Sequence, residues 1–235
     1  EQCFDIVFKC EAELSLEKFL NTVSEYPHTI TNSIFNDNSL ISKLEKIPGM
    51  LFKKSDKILD TGIGECIQDL DTLPFINYDL VNLNDYIKSK YDHHAVTNQI
   101  LFQRGCPYNC TFCKSPIVSS KIRNNSAQYM MKQLKYRYDK FGLNNFFITD
   151  SNFTIDKNRL KEFFQLITSS DLSGKINFMI QTSVTISISD DEIEMLRSIG
   201  VTMYLIGVER FNDESRKLIK KAGTTEQVTT LIKKL

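Results

Sequence analysis

"NFFITDSNFTIDKNRLKEFFQLI", residues 145–167, reads as one strand followed by one helix. Its opening residues are apolar and β-prone up to Asp150. A polar turn then runs to Asp156, a residue type suited to start a helix by accepting main-chain N–H bonds. Beyond it Leu160, Phe163, Phe164 and Ile167 recur at the spacing of one helical face.

The same unit repeats on both sides. Upstream, "NQILFQ" from Asn98 enters a cysteine-bearing loop. A helix follows from about Ser126, with Met130, Leu134, Tyr138 and Phe141 inward and Gly142 to close it. Downstream, "NFMIQTSV" precedes a helix with a capping box from Ser189 to Glu192 and Ile193, Leu196 and Ile199 inward. "TMYLIGVE" precedes a last helix, whose capping box runs from Thr224 to Gln227 and whose stripe is Val228, Leu231, Ile232 and Leu235. Four consecutive strand–helix units predict an α/β fold with a parallel sheet and right-handed crossovers, arranged as the first part of a TIM-type barrel. Such sheets carry their chemistry on the loops after the strand C-termini, where Cys106, Asp150, Gln181 and Glu209 all stand.

The front of the chain is less regular. Phe4–Phe8 is a short β-type run, followed by a helix with Leu16, Phe19, Leu20 and Val23 inward and Ser15 as its N-cap. "IPGMLFKKSDKILDTG" predicts a hairpin turning near Ser55 and Asp56, and "LDTLPFINYDLVNLNDY", with Pro74, an extended linker. The chain thus divides into residues 1–26, a linker and hairpin segment over 27–97, and the repeating units over 98–235. It opens at Glu1 and stops inside a helical pattern at Leu235, as a piece of something longer would.

Composition bounds the function. The 235 residues are 41% hydrophobic, enough to bury a real core, and 29 basic residues balance 29 acidic ones. A dedicated binder of nucleic acid or of anionic membranes would show a basic excess. No apolar run approaches the roughly 20 residues of a membrane helix, and no signal-peptide pattern opens the chain. Six cysteines are too few for a disulfide scaffold of this length, and three of them crowd together. That points to a thiolate site in a reducing cytoplasm.

The crowded three lie in "RGCPYNCTFCKSP", residues 104–116, where Cys106, Cys110 and Cys113 follow the spacing C-x3-C-x2-C. Soft thiolates at this spacing suit an iron–sulfur cluster or zinc. A structural zinc needs a fourth ligand, which His93 or His94 could supply, making the chain a zinc-stabilised binding module. Cys110 and Cys113 could instead form a redox pair, leaving Cys106 unexplained, or the three could be ordinary loop thiols. A 4Fe–4S cluster held by three cysteines would keep one iron open to a further ligand.

"CPYNCTFC" resembles the C-x3-C-x-aromatic-C motif of the radical SAM superfamily, and it sits after the first strand of a β/α array as that motif does. The resemblance implies that the open iron is chelated by the amino and carboxylate groups of S-adenosylmethionine (SAM). An electron entering the sulfonium then breaks a carbon–sulfur bond and yields a 5′-deoxyadenosyl radical. It also implies that Phe112 lies near the adenine and that the partners are a small-molecule or peptide substrate and an electron donor such as flavodoxin or ferredoxin. "FFITDSNF" and "LIGVER" resemble the second- and fourth-strand segments of the group in this superfamily that carries a cobalamin-binding-like domain. On that likeness Asp150 would touch the cofactor or substrate, Gln181 would belong to the cofactor site, and Glu209 would approach the SAM ribose or methionine part.

Two departures stand out. Ser183 and Thr185 occupy the third-strand stretch "QTSVTIS" where Arg and Asp are common, and Arg210 follows Glu209 where Ser is usual. The pocket is therefore atypical, or its positive charge comes from elsewhere, with Arg210 one candidate. "FDIVFKCEAELSLEKFL" resembles the end of the Rossmann-like cobalamin-binding domain, where a strand runs into G-E-x-E. Cys10 stands for the Gly, while Glu11 and Glu13 remain. Cobalamin joins SAM and the cluster as an implied cofactor in those members that keep a corrinoid, and methyl transfer then joins hydrogen abstraction as an implied reaction.

Overall fold

A computed structural model describes residues 4–26, 37–54, 57–81, 98–185 and 188–235. The chain forms two compact units, Glu1–Gln68 and Asp69–Leu235.

The first unit is a three-stranded antiparallel sheet with two helices. Strand β1 (Ile6–Phe8) leads into helix α1 (Glu13–Ser24), and α2 (Asn38–Leu44) precedes the hairpin of β2 (Met50–Lys54) and β3 (Lys57–Asp60). The expected hairpin is present: Lys54 pairs with Lys57 on either side of its tip, and β2 also pairs with β1 through Phe8 and Met50. Leu40, Leu44, Met50 and Phe52 are fully or almost fully buried between sheet and helices. Each such side chain contributes about 1.5–3 kcal/mol.

Ser15 does not cap α1. The helix starts three residues earlier from Ala12 without a side-chain cap, and the buried Ser15 hydroxyl donates to Pro48 O at 2.7 Å. Helix α2 escaped notice because it is only seven residues long; the Asp37 carboxylate caps it by accepting from Ser39 N and Leu40 N.

The second unit is an α/β layer built on a four-stranded sheet. Its strands are β4 (Gln99–Ile100), β7 (Asn145–Ile148), β8 (Asn177–Thr182) and β9 (Val201–Ile206), paired in that order and all parallel. Between β4 and β7 lie β5 (Gln103–Arg104), α3 (Ser115–Val118), β6 (Arg123–Asn124) and α4 (Ala127–Phe141). Helices α5 (Lys157–Thr168), α6 (Asp190–Ser198), α7 (Asp213–Leu218) and α8 (Thr225–Lys234) complete the crossovers and the tail. Alternate strand residues Phe146, Ile148, Phe178 and Ile180 meet Leu134, Phe163 and Leu196 of the helices in one core. Ser126 and Gly142, in the left-handed conformation at φ 66°, bound α4 as expected, and both capping boxes are formed.

Three expectations need correction. The first strand is two residues long rather than six, because the Phe102 and Gln103 amides leave the sheet for the Asp150 carboxylate. Gln103–Arg104 then pairs antiparallel with Arg123–Asn124. Ile232 is 52% exposed, so the stripe of α8 is Val228 and Leu231 with Leu235 partly buried.

The third correction concerns the linker. The described parts of 27–97 divide between the two units. The stretch around Pro74 is strapped to α4 through short helical turns at Leu70–Thr72 and Tyr78–Leu80. The Asp71 carboxylate accepts from Ser126 N at 2.9 Å, Tyr129 Oη donates to Leu73 O, and the Phe75 ring meets those of Tyr129 and Tyr136.

Candidate functional site

The cysteine loop leaves β5 through Gly105, whose φ is 91°. A Cβ there would lie 2.2 Å from Lys121 O, so close approach of the returning chain demands glycine. Cys106 N donates to Ser119 O at 3.1 Å, Cys113 N to Cys110 O at 3.1 Å, and Thr111 N to Ile219 O at 3.0 Å. These bonds fix a loop whose three cysteines line one cavity of about 430 Å³ at the C-terminal ends of the parallel strands. Gln181, Glu209 and Phe112 line the same cavity, which brings together the expected cofactor residues with one exception.

The exception is Asp150. Its side chain has no exposure and takes no part in the cavity wall. Its Oδ1 accepts from Phe102 N at 2.6 Å and Gln103 N at 2.8 Å, and its Oδ2 faces Arg159 Nη2 at 3.3 Å. Burial pushes the carboxyl above its ordinary value, opposed by the Arg159 charge and the two main-chain amides. Asp150 is a tether between the first and second strand ends, so it cannot touch a ligand in the cavity.

Two residues on is Asn152, 3% exposed and unremarked by sequence reasoning. Its Nδ2 donates to Cys106 Sγ at 3.7 Å. Its main chain exchanges two bonds with the Gln103 side chain, Asn152 N to Oε1 and Nε2 to Asn152 O, both 3.3 Å. Its Oδ1 is buried without a partner among the described residues, an arrangement that costs about 1–3 kcal/mol.

The fourth strand end is built differently. Glu209 has a φ of 61°, unusual for a residue with a Cβ, and its Oε1 lies 3.9 Å from Lys221 Nζ. A Cβ on Gly207 would meet that Nζ at 2.9 Å and Oε1 at 3.1 Å, so its absence lets both charged groups reach over the strand end. Beneath them Arg216 donates to Gly223 O, Val208 O, Arg210 O and Ala222 O. Arg210 itself is exposed and does not line the cavity. Lys221 does, and it was missed because no periodicity marks a lysine in a loop. Where the resemblance places an arginine, Ser183 and Thr185 form a hydroxyl chain, with Thr185 donating to Tyr108 Oη.

Among the described residues no three His, Cys, Asp or Glu side chains converge closely enough to hold a single metal ion. His93 and His94 lie outside the described residues. Three cysteines lining one cavity, with an amide N–H turned to Cys106 Sγ, fit an iron–sulfur cluster.

Comparison with known proteins gives the family described as Radical SAM superfamily a match over residues 100–235. The anaerobic magnesium-protoporphyrin IX monomethyl ester cyclase of Synechocystis sp. is 25% identical over 228 residues, covering 96% of this chain and 41% of its own. An uncharacterized methyltransferase of Pyrococcus horikoshii is 22% identical, covering 98% and 46%. Among solved structures, the methyltransferase TsrM of Kitasatospora setae with cobalamin and a [4Fe-4S] cluster superposes with a TM-score of 0.73 at 15% identity, over 98% of this chain and 44% of that one. The cobalamin-dependent enzyme OxsB with aqua-cobalamin and S-adenosylmethionine gives 0.72 at 16%, over 94% and 30%. The chain thus spans less than half the length of these relatives.

Proposed function

The chain belongs to the radical SAM superfamily, and from that membership we propose that Cys106, Cys110 and Cys113 carry three irons of a 4Fe–4S cluster whose fourth iron takes SAM. The observation that carries this reading is that Cys106, Cys110 and Cys113 line one cavity with Gln181 and Glu209 at the strand ends. When bound, the cluster supplies the electron that breaks a carbon–sulfur bond of SAM. The chain's own residues bind and orient. Glu209 would hydrogen-bond the ribose or the methionine ammonium, Phe112 would pack on the adenine, and Gln181 would add a polar contact from the same cavity wall. Lys221 supplies the positive charge that the third strand lacks.

The reaction is hydrogen abstraction from an unactivated carbon of a small-molecule or peptide substrate, or methyl transfer where a corrinoid is bound. The electron comes from a flavodoxin or ferredoxin in a reducing cytoplasm. The strand order, sequential and all parallel, supports a TIM-type barrel of which these are the first four units. Cys10, with φ 60° where the resemblance has glycine, supports reading residues 1–26 as the end of a cobalamin-binding-like domain. No helix among the described residues is long and apolar enough to cross a membrane. Family membership sets aside the zinc-stabilised module.

Anaerobic reconstitution with iron and sulfide tests the reading. The expected product is brown, becomes EPR-active on reduction, and changes its spectrum when SAM is added. Colourless protein holding one zinc sinks the assignment, as does a Cys110→Ala variant that still builds the full cluster and cleaves SAM.

A further inference from the structure

Asn152 lines the cavity beside the cysteines, and its amide is committed to a sulfur. Its nitrogen faces Cys106 Sγ at 3.7 Å, while its oxygen is buried with no partner among the described residues. A thiolate only accepts, so the nitrogen must be the atom turned to it. The amide therefore holds the sulfur bond at the expense of its other end. We infer that Asn152 is a positioning residue that raises the reduction potential of the cluster by donating an N–H hydrogen bond to Cys106. This rests on the reading of the three cysteines as cluster ligands.

The geometry is held by a buried frame. The Gln103 side chain clasps the main chain of Asn152 in two bonds, and Gln103 N is itself fixed on Asp150 Oδ1. Arg159 locks the far side through Asp150 Oδ2 and Phe153 O. Cys106 lies three residues beyond Gln103 on the same stretch of chain. Donor and acceptor are thus referred to one rigid support, which an adventitious contact of a loop amide would not have.

The sign follows from charge. Reduction adds an electron to an already anionic cluster, and part of that charge resides on the sulfurs. An N–H aimed at a sulfur stabilises the reduced form more than the oxidised one, which is how hydrogen bonds to sulfur tune such potentials. Removing the donor makes the cluster harder to reduce.

The test is an EPR-monitored redox titration of the reconstituted chain as wild type, Asn152→Leu and Asn152→Asp, with circular dichroism confirming the fold. Leucine shares the branched outline of asparagine, is bulkier, and has no donor. Aspartate keeps the shape, loses the donor and adds negative charge, and it carries the measurement if the leucine variant fails to fold. At the wild-type midpoint the ratio of reduced to oxidised cluster is expected to fall about tenfold in the variants, about 59 mV for a one-electron couple. An unchanged or raised potential with an intact cluster overturns the inference alone. A wild-type chain that builds no cluster removes the cysteine reading and this inference with it.

Discussion

Arg159 and Arg216 are both buried, 6% and 1% exposed, and each secures one end of the sulfur-lined cavity. Their charges are met in different ways. Arg159 faces the Asp150 carboxylate at 3.3 Å and also donates to the carbonyls of Phe102 and Phe153. Arg216 has no carboxylate within ion-pair distance among the described residues and spends its donors on four main-chain carbonyls. The first arrangement ties two strand ends together through a compensated charge. The second holds an irregular loop in shape by filling its acceptors. A buried ion pair can be replaced as a pair, whereas carbonyl acceptors belong to the backbone and have no side-chain substitute.

The largest effect should come from splitting the pair. Asp150→Ala leaves the Arg159 charge buried and two amides unpartnered, and should cost about 3–5 kcal/mol in urea unfolding. The double variant Asp150→Asn with Arg159→Met keeps an acceptor for Phe102 N and Gln103 N and removes the charge, so it should recover more than half of that loss. A double variant no more stable than Asp150→Ala would show that the tether acts through something other than charge compensation.

Arg216→Met should cost less, about 2–4 kcal/mol, because part of the loop can rehydrate its carbonyls. Among side-chain replacements no compensating partner exists for it. The same variant should weaken SAM binding, read as a smaller SAM-induced EPR change, since the loop carries Glu209 and Lys221. Retention of full SAM binding would separate Arg216 from the shape of the site.

Acid titration separates two further carboxylates in this unit. Asp150 is raised by its burial, so the folded state keeps its proton to higher pH than the unfolded chain. Its linkage therefore lowers stability as pH rises from the ordinary value of 3.8 through the folded value. Asp71 is also pushed up by burial, but hydrogen bonds from Ser126 and Asn125 outweigh this and leave it lowered. Its contribution is present above 3.8 and lost as pH falls through the folded value. Urea midpoints measured across the acid range should lose their rise in Asp71→Asn and their opposing fall in the Asp150/Arg159 double variant. Parallel pH profiles in all three proteins would contradict both assignments.

What was legible in the sequence follows from how local each signal is. The strands and helices of 98–235 were readable because periodicity and caps lie within a few residues, as at Ser189 and Glu192. The cysteine loop was readable for the same reason. Asn152 was not, since its sulfur partner is 46 positions away and an asparagine in a turn needs no further explanation. Asp150 drew notice for its place at a strand end, yet only the fold shows that its oxygens are already taken. Lys221 sits in an irregular segment and Arg216 in a six-residue helix, and in neither does charge say anything about direction. The shortened first strand had the same cause as the error on Asp150: one buried carboxylate claims amides that the sheet would otherwise use.

The smallest effect concerns backbone strain, where Glu209 can be set against Cys10. Both occupy the left-handed region, at φ 61° and 60°. Relief of such strain is worth about 1–2 kcal/mol, less about 0.4–1 for the added freedom of glycine in the unfolded chain. Cys10→Gly and Glu209→Gly should each gain about 0.5–1 kcal/mol in urea unfolding. The two should part company in SAM binding by the reconstituted protein. Cys10→Gly should leave it unchanged, while Glu209→Gly should weaken it about tenfold, or about 1.4 kcal/mol. Since both positions carry the strain, it is the loss of binding and not the strain that would mark the Glu209 side chain as held for a ligand. If Glu209→Gly binds SAM as tightly as the wild type, its strained backbone has another cause and the carboxylate is no part of the cofactor site.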